Sequence, residues 1–274
     1  MEEKIYLDIH GSGAMIDFDT TDNKSPWSGF SETMVKMYIE DTVTSIGANA
    51  FSSHTKLASL RIPTSVASIG NSAFYNCEKI TSMKIETNIL RIGESAFEDC
   101  KGMTTLEFAD ESTCSIGTKS FKGCQNLKSV NFGTKIMEIG ESSFENTGVE
   151  NLQLPGTITK IGESAFKSCS SMKQLTVENG AEERVYTIEN NAFESCGNLE
   201  VVTFGTQLTK IGESAFKASG VKEIKITTTV TTNKSHVFEN CNKLEKVEFI
   251  NSACDIGESS FEGCCNLGSA TLGN

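Results

Sequence analysis

Two hundred and seventy-four residues, 29.6 kDa, suffice for one large domain or two ordinary ones. With 38% hydrophobic and 22% charged residues, the composition excludes a disordered, collagen-like or membrane-embedded chain. Twenty-four Lys and Arg stand against 36 Asp and Glu, net −12, a balance that repels phosphate backbones and argues against nucleic acid as a partner.

The chain begins Met1-Glu2-Glu3-Lys4, without the basic and apolar regions of a signal peptide. No run approaches the roughly 18 apolar residues of a spanning helix, so no membrane insertion is expected. Residues 1–45 read as an N-terminal capping segment. Within it Asp17, Asp19 and Asp22 faintly resemble a calcium loop, but the spacing beyond the second Asp fails and a solvated acidic cap is the better reading. Asn23-Lys24-Ser25 and Asn233-Lys234-Ser235 match the N-glycosylation pattern, which is common by chance.

From residue 46 onward one phenylalanine recurs: Phe51, Phe74, Phe97, Phe121, Phe144, Phe166, Phe193, Phe216, Phe238 and Phe261, at intervals of 22 to 27 residues and mostly 23. Three residues after each stands Cys77, Cys100, Cys124, Cys169, Cys196, Cys241 or Cys264, replaced in the other copies by His54, Thr147 and Ser219. Residues 46–274 are therefore a repeat array of about ten coils, and such units fold by stacking on one another. Each copy ends in period-2 alternation, as in Leu175-x-Val177, which predicts one short strand per coil with a single buried face. The glycine after each Ile, as in Ile92-Gly93 and Ile161-Gly162, predicts either a positive φ or a close backbone approach. The E-S-A-F segments that follow predict single helical or 3-10 turns.

The pattern I-G-x-x-A-F-x-x-C-x-x-L-x-x-L-x-L/I resembles the BspA-like leucine-rich repeats. The resemblance implies a right-handed solenoid with a parallel β-sheet on its concave face and short helical or 3-10 turns on the convex side. It implies a secreted or surface-exposed protein that binds other proteins or host matrix, with no enzymatic activity.

Some copies depart from the pattern. Between Phe166 and Phe193 the segment 178–184 adds four residues with an Asn-Gly turn signal, and reads as a bulging loop. The copies at Phe144 and Phe216 are one residue short and have Thr147-Gly148 and Ser219-Gly220 in place of the cysteine. In the copy before Phe238, Asn233-Lys234 replaces Ile-Gly and Val237 replaces the small residue, so that coil is expected to pack less well.

Ten cysteines invite disulfide, zinc and catalytic readings. Equivalent side chains in stacked coils point the same way, which disfavours pairing. A linear ladder does not converge on a tetrahedral metal, and no histidine is placed beside a thiol. Buried free Cys filling the core is the expectation, with Cys114, Cys254 and Cys265, off the ladder, the more exposed ones. The Glu of each I-G-E-S, such as Glu94 and Glu163, forms a solubilising row, unlike a paired acid/base site. No catalytic, cofactor or metal residues are assigned.

The residues that alternate outward from the strand are Arg61, Lys84, Glu107, Asn131, Gln153, Thr176, Thr203, Lys225, Glu248 and Thr271. They vary while the core positions hold, as expected of a surface free to specialise, and we read them as a partner-binding row on the concave face, short of aromatic anchors. The leading expectation is a non-catalytic recognition or adhesion module for a protein or extracellular-matrix partner. The alternative is a structural, self-assembling segment of a longer surface protein, associating end to end through an uncapped C-terminal coil.

Overall fold

The computed structural model describes residues 5–181, 184–226, 230, 232–250 and 256–272. The chain winds as a β-solenoid in which most turns lie in register on the one before. Long strands form one face, from Ile5–Ile9 and Met34–Ile39 through Ser82–Ile85, Thr105–Phe108 and Gln174–Val177 to Ser269–Leu272. All of their pairings are parallel, and equivalent repeat positions face one another, such as Lys84 with Glu107 and Leu152 with Leu175. Alternation buries every second side chain, so Met83, Leu106, Leu152 and Ile224 point inward.

Each turn contributes a second strand as well, where one was expected. Ser68–Ile69, Arg91–Ile92, Ser115–Ile116 and their equivalents build a second parallel sheet around the bend. Its registered isoleucines, Ile46, Ile69, Ile92 and Ile116, are all buried. Most of these strands have two residues with only the Ile buried, and there alternation is too brief to be visible in the sequence.

The E-S-A-F segments also differ from expectation. Among the described residues the one 3-10 helix is Ser28–Phe30, and the corners are series of hydrogen-bonded turns. Around Phe97, the amides of Ala96, Glu98 and Cys100 bond back three residues to Gly93, Ser95 and Phe97. The alternate amides, of Ser95, Phe97 and Asp99, bond to carbonyls of the next coil at 2.7–2.9 Å. Ser95 and Asp99 take left-handed φ of 53° and 58°, which turns successive amides in opposite directions and precludes a helix. Thus even the corner forms a hydrogen-bonded ladder between coils.

The glycine preceding this corner serves close approach. A Cβ on Gly93 would lie 2.7 Å from the backbone of Asn71 and of Gly70 in the coil below. Its φ is ordinary, and the left-handed conformation falls two residues later.

Inside, the repeated phenylalanines form an unbroken stack from Phe51 to Phe261, with ring centroids 5.1–5.6 Å apart and planes within 15°. This spacing follows from coils stacked at strand separation, about 4.8 Å, and lies in the favourable range for aromatic pairs. Beside it the cysteines form a second ladder. Each ladder thiol, from Cys77 to Cys264, donates to the carbonyl of the phenylalanine one coil earlier at 3.0–3.2 Å. The thiol is thus a polar partner for a buried carbonyl as well as a small apolar filler. Thr147 donates instead to the carbonyl of Phe144 in its own coil at 3.0 Å, and the hydroxyls of Thr147 and Ser219 meet the thiols of the following coil, Cys169 at 3.2 Å and Cys241 at 3.4 Å.

The head is built on the same plan. Its strands extend both sheets, Trp27 stacks on Phe51 at 5.2 Å, and the ring of His54 reaches the Trp27 carbonyl at 3.3 Å, where a thiol would reach a Phe carbonyl. Asp19 accepts three successive amides, from Thr21, Asp22 and Asn23, which hold its carboxyl below the ordinary value and make it a turn former. In the coil of Val237, Val237 and Phe238 are fully buried, and the stack continues through Phe238 at 5.6 Å on either side, its widest spacing.

Among the nine described cysteines all are free. Cys114, expected to be exposed, is buried; Cys265 is exposed; and Cys254 lies outside the described residues. Burial pushes the Cys77 and Cys114 thiols up to about 12 and those of Cys169 and Cys241 up to about 11. Their reactive thiolates are correspondingly scarce at neutral pH. Iodoacetamide at pH 8 should therefore label Cys265 in the folded protein and spare Cys77, Cys100, Cys114, Cys124, Cys169, Cys196 and Cys241 until denaturant is added. Mass mapping that finds a ladder cysteine modified as fast as Cys265 would contradict this packing.

Candidate binding face

The long-strand face places the sequence-derived row in one line. Tyr38 pairs with Arg61, Lys84 with Glu107 and Asn131, Gln153 with Thr176 and Thr203, and Lys225 with Glu248 and Thr271. Thr176 and Glu248 are half-buried and the remaining members exposed. A second outward row, including Lys36, Ser59, Ser129, Asn151, Gln174 and Glu223, runs beside it.

Three chemically distinct zones divide this face. At the N-terminal end Arg61 donates to the Tyr38 hydroxyl at 3.0 Å and to Asp41 at 3.1 Å, with its guanidinium 5.3 Å from the Tyr38 ring centre. Tyr6, opposite Lys36 on the first strand, has 66% of its surface exposed, and Tyr38, opposite Asp8, has 36% exposed. These tyrosines supply aromatic anchors that the row from Arg61 onward does not have. Tyr38 stands 23 residues before Arg61, one repeat period, so extending the repeat into the head is the signal that would have found it.

The central zone, Asn131, Gln153, Thr176 and Thr203 with Ser129, Asn151 and Gln174 beside them, carries no charge. The C-terminal zone is a lattice of ion pairs. Glu200 is held by Lys222 at 2.7 Å and Lys243 at 3.4 Å, and Glu248 by Lys246 at 2.6 Å, while Glu150 and Lys173 pair at 2.8 Å just before the central strands. Hydrogen bonds from these lysines lower the carboxyls of Glu150, Glu200 and Glu248, and the same contacts raise Lys222 and Lys246. Each pair is solvent-exposed and adds little stability. Together they leave few unmatched charges for a partner.

The short coils break the sheet. No ladder joins Ser129–Asn131 to Asn151–Leu154, or Val201–Thr203 to Glu223–Ile226, and both breaks precede a coil one residue short. Losing a residue between the ring and the strand keeps the strand from lying flush. Only the long bonds Glu150 to Lys128, 3.3 Å, and Lys222 to Glu200, 3.4 Å, cross near the strand starts. At both places a phenylalanine, Phe132 or Phe204, turns edge-on to the stack, at 77° and 78° to Phe144 and Phe216. A third break, between Ser59–Arg61 and Ser82–Ile85, occurs in a full-length coil and has no such explanation.

The described residues hold no group of three or more His, Cys, Asp or Glu side chains placed to bind a metal, and no helix long and apolar enough to cross a membrane. Fold and face together define a leucine-rich repeat solenoid, with a parallel strand face variable in side chain and constant in backbone. The sequence matches the model of the BspA type leucine-rich repeat region, in six copies, over residues 29–114, 104–184 and 181–274. The chain belongs to that family of leucine-rich repeats.

Two solved structures are similar in fold. A leucine-rich repeat protein from Bacteroides ovatus is 22% identical, with TM-score 0.53, over 86% of this chain and 72% of that one. A leucine rich cell surface protein from Faecalibacterium prausnitzii is 21% identical, with TM-score 0.54, over 99% of this chain and 88% of that one. No curated protein matches the sequence significantly.

Proposed function

We propose that the chain is a non-catalytic recognition module that holds a protein or extracellular-matrix partner on its long-strand face, at the N-terminal end of the row. The carrying observation is the exposed Tyr38 and Arg61 pair on the parallel sheet, with Tyr6 exposed on the adjoining strand. Tyrosine and arginine are enriched at interface hot spots, tyrosine for large area on few rotors and arginine for its planar set of directional donors. The neighbouring Lys36 and Lys84 extend a basic edge on an otherwise acidic molecule. Lys84 is paired with Glu86 at 3.0 Å and Arg61 with Asp41 at 3.1 Å, but Arg61 also packs over the Tyr38 ring at 5.3 Å, so Arg61 is the anchor of choice. A place outside the cell is part of the same reading. It is supported by the family and by the surface location in the name of the Faecalibacterium relative. Buried thiols suit such a place, since packing rather than compartment keeps them reduced.

The test is surface-plasmon binding to a panel of purified extracellular-matrix proteins. Truncating a hot-spot residue costs about 2 kcal/mol or more, so Arg61→Ala should weaken a bound partner by roughly thirtyfold, and Tyr38→Ala by a similar factor. Thr271→Ala, at the other end of the row, should leave binding unchanged. Partner affinity that ignores both Arg61→Ala and Tyr38→Ala would overturn this placement.

A further inference from the structure

The two sheet breaks at the short coils open two clefts of nearly equal size with opposite chemistry. The first, about 400 Å³, lies between Ser129–Asn131 and Asn151–Leu154 and presents Asp110, Ser129, Asn131, Asn151, Gln153 and Glu178. The second, about 390 Å³, lies between Val201–Thr203 and Glu223–Ile226, and its lining includes Glu200, Lys222, Lys225 and Glu245. In the second, Glu200 and Lys222 satisfy one another at 2.7 Å. In the first no basic side chain is present.

The polar groups of the first cleft are only partly used. Asn131 accepts the Gly133 amide at 3.0 Å through its oxygen, which leaves its NH2 free to donate. Gln153 donates to one Glu178 oxygen at 2.5 Å, leaving the amide oxygen and the other carboxylate oxygen as acceptors. The Asn151 amide has no partner among the described residues, so it offers both. The strand edges on either side add backbone groups that the interrupted ladder leaves unpaired. Glu178 comes from the start of the four-residue insertion, so a second departure from the repeat converges on the same place.

This mixture selects a ligand class. An anion is repelled by Asp110 and Glu178. A purely apolar group finds little wall, because Val130 and Phe132 beneath are 8% and 1% exposed. A cationic side chain needs acceptors alone and would leave the amide NH2 groups of Asn131 and Asn151 unmatched, at a cost for each donor desolvated without a partner. Hydroxyls both donate and accept, and amide and carboxylate planes set on adjacent strands match neighbouring hydroxyls. The volume lies within the range of small-ligand sites, roughly 300–1,000 Å³.

We propose that the cleft between Ser129–Asn131 and Asn151–Leu154 is a binding site for a neutral oligosaccharide. Its ligand lies on the middle of the same row, over Asn131 and Gln153 and away from Tyr38 and Arg61, so it stands independently of the Arg61 reading. The backbone displacement caused by one missing residue makes the opening, and the amides give it selectivity. The second cleft has the same opening and is closed to sugars by its own ion pairs.

The test is a titration of the 15N-labelled full chain with neutral tetrasaccharides (β-1,4-glucan, α-1,4-glucan, β-1,3-glucan and β-1,4-mannan), and with tetralysine and inorganic phosphate for comparison. At least one tetrasaccharide should shift the side-chain amide resonances of Asn131, Asn151 and Gln153 saturably. Gln153→Ala should weaken that binding by roughly tenfold, about 1.4 kcal/mol, and Asn151→Ala likewise. Lys222→Ala, in the other cleft, should change nothing. Unchanged backbone resonances of the Phe stack in each variant exclude misfolding as the cause. The proposal is overturned if no tetrasaccharide moves these amides up to about 20 mM, well above the weak end of specific binding. It is equally overturned if tetralysine or phosphate moves them while the sugars do not, which would make the cleft a basic-peptide or anion site.

Discussion

Phe144→Ala is expected to lower the unfolding free energy by about 3–5 kcal/mol, the range for deleting a buried phenylalanine, and to fall at its upper end. Phe144 is fully buried, stacks on Phe121 and Phe166 at 5.3 Å each, and takes the edge of Phe132 at 5.4 Å. The rows of rings above and below are fixed by strand pairing and cannot collapse into the space, so most of the cavity would persist. Phe97→Ala removes two stacking neighbours, Phe74 and Phe121, and no edge contact. It should therefore cost less by the worth of one aromatic pair, about 0.5–1.5 kcal/mol. Urea unfolding followed by circular dichroism measures both. A loss below about 1 kcal/mol for Phe144→Ala would mean that the stack contributes far less than its burial implies.

Alkali should unfold the protein through its thiols. Seven buried cysteines, Cys77, Cys100, Cys114, Cys124, Cys169, Cys196 and Cys241, have thiols raised above the ordinary value of 9.0 by loss of solvent. A group whose folded value is raised binds more protons in the folded state. Its contribution is intact below pH 9 and is lost as pH rises toward the folded value, about 11 for Cys169 and Cys241 and about 12 for Cys77 and Cys114. At pH 10 each unfolded thiol gains about 1.4 kcal/mol by ionising while its folded counterpart stays neutral. Seven such groups shift the balance by about 10 kcal/mol, as much as the whole stability of many domains.

The urea midpoint under reducing conditions should accordingly fall steeply between pH 9 and 10.5. Serine keeps a donor at the ladder position, as Ser219 and Thr147 show, and does not ionise. Cys100→Ser with Cys196→Ser should therefore flatten the slope by two protons while keeping the neutral-pH fold. An alkaline slope identical in that variant would show that the thiols are not its source.

Much of this architecture is legible in the sequence because a solenoid repeats its core. Phe51 to Phe261 and Cys77 to Cys264 mark one ring and one thiol per coil, and the registered outward row from Arg61 to Thr271 follows by counting. The head was less legible. Trp27 stands 24 residues before Phe51, and His54 takes the thiol's place, but a changed residue type hides an unchanged position. The second strand of most coils was hidden for another reason, since two residues with one buried Ile hold no periodicity. The corner after each glycine also resisted: a left-handed serine such as Ser95 is set by the ladder to the next coil, a contact absent from local propensity.

The sequence by itself determined the coil count, the stacked core and the side of each strand that meets solvent, because these follow from period and polarity alone. The shorter copies at Phe144 and Phe216 were also visible there, but their consequence was not. Whether a missing residue is absorbed at a corner or opens a strand pair depends on how the neighbouring coils are held. Here the ring stack stays closed at 5.3 Å between Phe121 and Phe144 while the strands beside it part. Only the tertiary structure decided that the loss falls on the solvent side, because the buried rings have more contact to lose than an exposed pair of strands.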